Sequence, residues 1–225
     1  MERYHFVFDE KKNCYMTNDN AAAQPLDVSD FERMLDPEHM LQHLYIGLQR
    51  RSSQNILKRR TVFPGVEKYI YYRLGRAGNS CFIMKLKYDM MTALRIDEKL
   101  AWTMAAENTS RETVIENVAD IIGRLCGFAP GVNMDGPQIY CVTNRERNRG
   151  AAGILETGRI RAFAREHGAD RLIVLPSSIH EMLIIPDFEG AEIESFDRMV
   201  REVNANEVPV DEQLSDRAYT LDFSS

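Results

Sequence analysis

The sequence lacks an apolar run of the roughly 20 residues that a membrane-spanning helix needs. Its start, MERYHFVFDEKK, lacks the apolar stretch after basic residues that marks a secretory signal. Internal repeats and low-complexity tracts are also missing. The composition, with 44% apolar and 28% charged residues, is near the soluble globular average and argues against collagen-like, coiled-coil and wholly disordered chains. We therefore expect a globular cytoplasmic protein with no membrane partner, and its 225 residues suit one domain or two small ones.

Cysteine is scarce, and no two cysteines form a CxxC pair. The four in the chain are Cys14, Cys81, Cys126 and Cys141. Because no export signal is present, we expect the thiols to stay reduced. A catalytic thiol needs a nearby cation or a helix start to lower its pKa, and the local sequence supplies neither.

The sequence also lacks GxSxG, GxGxxG, GxxxxGK[ST] and HExxH, the motifs of common hydrolase, nucleotide and zinc sites. We therefore expect no cofactor and no metal. His39 and His43 lie four residues apart on a predicted helix and share one face, but two histidines are too few for a zinc site. We interpret them as solvated helix residues.

The net charge of −6 conceals a basic middle between acidic ends. Residues 43–88 carry ten basic residues and one acid, Glu67, whereas residues 189–225 carry ten acids and three bases. Either the acidic ends neutralise the basic middle within the fold, which we favour, or the basic stretch is exposed to an anionic partner such as nucleic acid. The local cluster that strand alternation does not explain is Arg50, Arg51, Lys58, Arg59 and Arg60.

The order of apolar runs predicts an α+β fold in which helices pack on a mixed β-sheet. Two β-hairpins are expected at 67–88 and 171–186, since each pair of strand-like runs is joined by a short turn. Residues 1–43 should hold a hairpin and a short helix near 29–35, and could be a separate module before an α+β domain at 44–225.

Besides a helix that Asp97 caps and that runs through Trp102 and Ala106, four further helices are predicted from apolar spacing and end signals. One begins at Asp36 and Pro37 and runs on to place Leu48 on its apolar face; another runs from Ser110 to a stop at Gly127. A third spans 151–167 and ends at Gly168. The fourth spans 191–204 and turns four apolar residues inward: Ile193, Phe196, Val200 and Val203.

Several stretches resemble a bacterial family catalogued as domain of unknown function 5688. They are AAENT at 105–109, VTN with GAAGIL at 142–155, LIVLPSSIHEMLIIPD at 172–187, MVREVNANEV at 199–208 and LSDRAY at 214–219. The resemblance covers roughly 44–225 and is strongest over 138–219. It implies a cytoplasmic α+β protein, with no assigned activity or catalytic residue. It also makes a link to mobile elements or to conflict between phage and host thinkable.

The turn PSSIHE at 176–181 is the first chemical candidate, because it gathers serine, histidine and a carboxylate between two apolar strands. A hydrolase or transferase centred on His180 would use Ser177 or Ser178 as nucleophile, with Glu181 close by. Residues this close in sequence rarely align a nucleophile, a base and an orienting acid. We therefore favour a structural turn and commit to no catalytic residue.

The loop NRERNRG at 144–150 follows a strand and precedes a helix, where anions often bind. Arg145 and Arg147 could extend the basic cluster at 50–60 into a nucleic-acid-binding surface. Taken together, the sequence favours a non-enzymatic protein that binds another macromolecule, with a protein as the first choice of partner. Nucleic-acid binding and catalysis at His180 are the alternatives.

Overall fold

The computed structural model describes residues 6–9, 14–17, 26–27, 36–77, 80–127, 137–188 and 191–224. Within these the fold class is α+β, as predicted. The chain divides into two compact units. The first comprises Met1–Tyr45, Asn55–Leu57 and Ile70–Asn108, and the second comprises Ile46–Gln54, Lys58–Tyr69 and Thr109–Ser225.

Twelve strands and six α-helices are numbered here along the described residues. The strands are β1 Phe6–Asp9, β2 Cys14–Thr17, β3 Leu26–Asp27, β4 Leu44–Arg50, β5 Lys58–Arg60, β6 Val66–Ala77, β7 Ser80–Lys85, β8 Thr113–Asn117, β9 Tyr140–Asn144, β10 Arg171–Leu175, β11 Met182–Pro186 and β12 Tyr219–Asp222. The α-helices are α1 Pro37–Gln42, α2 Tyr88–Ala93, α3 Glu98–Glu112, α4 Val118–Cys126, α5 Thr157–Glu166 and α6 Ile193–Asn206, and a 3-10 helix spans Gly150–Leu155.

Both predicted hairpins are present. β6 pairs antiparallel with β7, and β10 pairs antiparallel with β11. The N-terminal strands β1 and β2 also pair antiparallel. A mixed sheet was expected, but the strand pairs whose register the described residues give are all antiparallel. Strands that run in the same direction, β9 with β10 and β11 with β12, are not neighbours, because an oppositely directed strand lies between the members of each pair.

The second unit contains a five-stranded sheet in the order β12-β10-β11-β9-β8. One face packs on α6 through a buried cluster in which Phe196 and Val200 meet Ile173, Leu175 and Ile185. The opposite face carries Tyr140, whose ring meets Phe163 of α5 with centroids 4.8 Å apart. Since apolar residues cover both faces of the sheet, the sequences of its central strands are continuous apolar runs.

Two predicted helices are partly strand instead. The helix that begins at Asp36 ends at Gln42, and Leu44 already belongs to β4. Residues 113–117 form β8, because all five pair with β9. A helix restarts only after Asn117, whose side-chain oxygen accepts from the Ala119 amide at 2.8 Å, and it stops at Gly127 with φ of 75° as predicted. Tertiary pairing outweighs helical spacing in both places.

The C-terminal helices need smaller corrections. The region 151–167 divides into the 3-10 helix and α5, which ends before Gly168 at φ of 62°. On α6, Phe196 and Val200 are buried as expected and Ile193 packs beside them, but Val203 is 39% exposed because it lies at the flank of the packed face. The predicted helix near 29–35 lies outside the described residues.

Candidate functional site

The ring of His180 is bound at both nitrogens within the second unit. Its Nδ1 accepts from the Arg149 amide at 3.2 Å, and its Nε2 lies 3.3 Å from Glu212 Oε1. A ring nitrogen that accepts an N–H carries no proton, so the proton of the neutral ring lies on Nε2 and faces Glu212. The imidazole is thus held on both sides, as a structural histidine is.

The backbone at His180 is equally occupied. Its carbonyl accepts from the Gly150 amide at 3.0 Å and from Thr143 Oγ1 at 2.8 Å. The Ile179 amide donates to the Glu212 carbonyl at 2.8 Å. This corner therefore joins three stretches that carry the family resemblance: the VTN strand end, the start of GAAGIL and the SSIHE turn.

Neither serine of the turn bonds to the His180 ring. Ser177 Oγ donates to Glu181 Oε1 at 3.3 Å, while Ser178 Oγ accepts from the His180 amide at 3.0 Å. The Ser178 and Glu181 backbones bond to each other in both directions. The structure brings the four predicted residues together in one turn, but not as a nucleophile beside a base.

Cys141 lies beneath this turn and is buried. Its thiol donates to Glu181 Oε2 at 3.4 Å. Burial is the larger cause and the negative charge of Glu181 is the second, and together they raise the pKa of Cys141 to about 12. A thiol that stays protonated at neutral pH is a poor nucleophile, so this cysteine behaves as the small buried residue that the sequence predicts.

Two of the predicted arginines, Arg50 and Arg147, form ion pairs with acids of the second unit. Arg50 Nη2 lies 2.6 Å from Asp216 Oδ1, so an acid of the C-terminal segment does neutralise a base of the middle segment. Arg147 Nη2 lies 2.5 Å from Glu116 Oε2, and the other oxygen of Glu116 is taken by Arg124 at the same distance. Arg51, Arg59, Arg60 and Arg145 are exposed.

Lys58 belongs to a third paired group, gathered around the buried carboxylate of Glu67. Glu67 Oε1 accepts from Gln49 Nε2 at 2.7 Å, from Ser52 Oγ at 2.8 Å and from Lys58 Nζ at 3.2 Å. Burial alone would raise the pKa of Glu67, but the hydrogen bonds from Gln49, Ser52 and Lys58 outweigh it and lower that pKa. The single acid among the bases of 43–88 is thus the centre of a polar cluster.

A groove of about 450 Å³ lies within the second unit, beside the end of β5. Six of its lining residues are apolar: Val62, Ile154, Leu155, Ile160, Leu221 and Phe223. The others are Arg60, Thr61, Lys68 and Thr157. The Arg161 guanidinium carbon lies 5.9 Å from the centre of the Phe223 ring, which adds a further cation nearby. This groove has the size and apolar lining typical of small-ligand sites, which enclose about 300–1,000 Å³.

Positive charge concentrates at the strand wall of the groove. β5 pairs with β6 so that Arg59 lies directly opposite Lys68. Directly opposed residues of an antiparallel pair project to the same face, and like charges in that position destabilise the pair. Burial lowers the pKa of Lys68, and the charge of Arg59 lowers it further.

His39 and His43 do share a face, as predicted, but they are not simply solvated. Their rings stack with centroids 4.2 Å apart, and His39 Nδ1 lies 3.1 Å from the Tyr72 hydroxyl. Within the part of the chain that the structure describes, no group of three or more histidine, cysteine or acidic side chains is placed to hold a metal ion.

Sequence reasoning missed the groove although it named Arg59 and Arg60. Lys68 and Phe223 bring it together from distant parts of the chain, and no local motif marks them. The charge count did offer a signal for Glu67, as the one acid in a basic stretch.

None of the helices in the described ranges combines the length and the apolar character needed to cross a bilayer. Comparison with curated proteins and with solved structures gives no match. A family model does match, and it covers residues 5–222, so it takes in most of the N-terminal segment that the resemblance left out. The chain thus belongs to the family of unknown function DUF5688.

Proposed function

We propose that this protein is a non-enzymatic binding protein whose partner carries negative charge and binds in the groove. The observation that carries the proposal is a groove whose lining combines six apolar side chains with the cations Arg60 and Lys68. Cations beside an apolar surface offer an anion a charge-assisted contact together with burial of its apolar part.

The SSIHE corner supports the non-enzymatic part of the proposal. Its imidazole, its two serine hydroxyls and its two nearby carboxylates are engaged with one another or with the backbone. Catalysis there would require His180 to leave Glu212 or Arg149 before it could take a proton from Ser177 or Ser178.

Nucleic-acid binding is the second candidate, favoured by the exposure of Arg51, Arg59 and Arg60. Ion pairs of Arg50, Lys58 and Arg147 reduce the charge that this surface offers to phosphate. An affinity that falls steeply with salt concentration would identify this mode.

The proposal is tested with the anionic dye anilinonaphthalene sulfonate, whose fluorescence rises in apolar sites. We expect saturable binding that weakens at least about tenfold in Lys68→Gln, since one charge-assisted contact contributes about 1.5–3 kcal/mol and about 1.4 kcal/mol is a factor of ten. Arg145→Gln removes an exposed cation outside the groove and should bind the dye as the wild type does. Equal dye affinity in Lys68→Gln and the wild type would refute a charged groove.

A further inference from the structure

Resting on the proposed function, we infer that the occupant of the groove is a small amphipathic anion: a single carboxylate or phosphate on an unbroken apolar body. The anionic group would lie against the β5–β6 wall, near Arg60 and Lys68. The apolar body would lie against the 3-10 helix, α5 and β12.

The floor of the groove determines the apolar part of the ligand. Ile154 and Ile160 are 2% and 1% exposed, so they form a fixed surface that cannot rearrange cheaply. Leu221 and Phe223 add a second apolar wall from β12 and the residue after it. Because Ile154 and Ile160 expose almost no area, the apolar area that a ligand removes from water lies on the exposed Val62 and on the half-buried Leu221 and Phe223.

The polar groups of the groove point to one charged group and little else. The Thr61 hydroxyl is already engaged. It donates to the Val66 carbonyl at 2.9 Å and accepts from the Phe63 amide at 3.1 Å. Beyond the cations, the lining then offers Thr157 as a side-chain hydroxyl. A ligand rich in hydrogen-bonding groups would leave many of them without partners, which costs free energy.

The same lining disfavours a polymer. An extended peptide brings a backbone amide and carbonyl at every residue, and these need partners that apolar side chains do not supply. A single nucleic-acid strand is held by several aromatic side chains that stack on successive bases, whereas Phe223 is the single aromatic residue among those lining the groove.

The experiment measures displacement of anilinonaphthalene sulfonate by four probes: decanoate, decyl phosphate, decanol and acetate. We expect decanoate and decyl phosphate to displace the dye at least about tenfold more effectively than decanol, which lacks the charge, or acetate, which lacks the apolar body. The stronger of the two anions identifies the head group as carboxylate or phosphate.

Two variants locate the ligand. Lys68→Gln should weaken decanoate about tenfold and leave decanol unchanged, since decanol makes no charged contact. Phe223→Ala should weaken the binding of both decanoate and decanol, and Phe223→Leu should restore the binding of both. Circular dichroism and the melting temperature check that each variant is folded, and Arg145→Gln serves as the charge control.

The outcomes separate the two proposals. If the dye depends on Lys68 but polyglutamate or an oligodeoxythymidylate displaces it better than decanoate, the groove binds an anionic polymer; the small-ligand inference fails and the proposed function stands. If decanol equals decanoate, the charged head is refuted. If neither Lys68→Gln nor Phe223→Ala changes the affinity for the dye, the groove is not the binding site and both proposals fail.

Discussion

Arg59 and Lys68 lie directly opposite each other on an antiparallel strand pair, two positive side chains sharing one face. Like charges in this position oppose folding, so removing one of them should not lower the stability of the protein, whereas it should weaken binding in the groove. This opposite movement of stability and affinity distinguishes a functional charge from a structural one.

Lys68→Gln should leave the free energy of unfolding unchanged or raise it by about 0.2–1 kcal/mol, the range of a cross-strand pair. The measurement is urea denaturation at neutral pH. The matched control is Arg60→Gln, because Arg60 lies opposite the acid Glu67 and its loss should lower stability within the same range. A clear destabilisation by Lys68→Gln would show that this lysine supports the fold.

Glu67→Gln should lower the free energy of unfolding by about 1.5–3 kcal/mol, since it weakens several hydrogen bonds to a buried charged acceptor. The pKa of Glu67 is lowered in the folded protein because its hydrogen bonds outweigh its burial. Its stabilisation is therefore complete above its ordinary pKa of 4.5 and is lost as the pH falls through the lower folded value.

The check is a comparison of wild type and Glu67→Gln by denaturation from neutral to acidic pH. The difference in stability between them should shrink below pH 4.5, the ordinary pKa of Glu67. Glu207→Gln, at an exposed helix end, is the control and should show a small difference at every pH. A gap for Glu67→Gln that does not change with pH would contradict this assignment.

His180→Ala should destabilise the protein by about 1–3 kcal/mol, because it leaves the Arg149 amide without its acceptor. His180→Asn should recover part of that loss, since an asparagine oxygen can occupy the place of Nδ1. Chemical denaturation of both variants measures the difference. Unchanged stability in His180→Ala would free the imidazole for chemistry and revive the hydrolase hypothesis.

Native alkylation should distinguish Cys126 from Cys141. Cys126 is exposed, whereas Cys141 is buried and its pKa is raised to about 12. Iodoacetamide near pH 8 should therefore modify the Cys126 peptide and leave the Cys141 peptide unmodified until the protein is denatured. Peptide mass spectrometry measures the alkylation of both peptides in one digest. Rapid native labelling of Cys141 would mean that its thiol is activated and reachable.

Local signals sufficed for the elements whose partners are near in sequence. Gly127 and Gly168 correctly predict helix ends, and the short turn between the two apolar runs correctly predicts the β10–β11 hairpin. Local signals fail at β8. Its apolar residues have helical spacing, but β9, which lies more than twenty residues further along the chain, pairs with it as a strand. The turn at His180 was found as a motif, yet the role of its ring depends on Arg149 and Glu212, which no spacing rule connects to it.

Gly150 is the position where the corner tolerates least change. An added Cβ there would lie 2.3 Å from the Asn144 backbone nitrogen, and that atom cannot move without disturbing β9. Gly150→Ala should thus cost at least about 2–3 kcal/mol, through strain in a close backbone contact. The control is Gly158→Ala in α5, where nothing lies within 4 Å of the added atom.

Gly158→Ala should stabilise the protein by about 0.5–1 kcal/mol, because alanine favours the helix more than glycine does. Melting curves of the two variants give the comparison in one experiment. If both substitutions move the melting temperature alike, the junction between β9 and the 3-10 helix has room to relax, and the His180 corner is less rigid than its contacts require. If they move it in opposite directions, this corner is the anchor that fixes the 3-10 helix, and with it Ile154, beneath the groove.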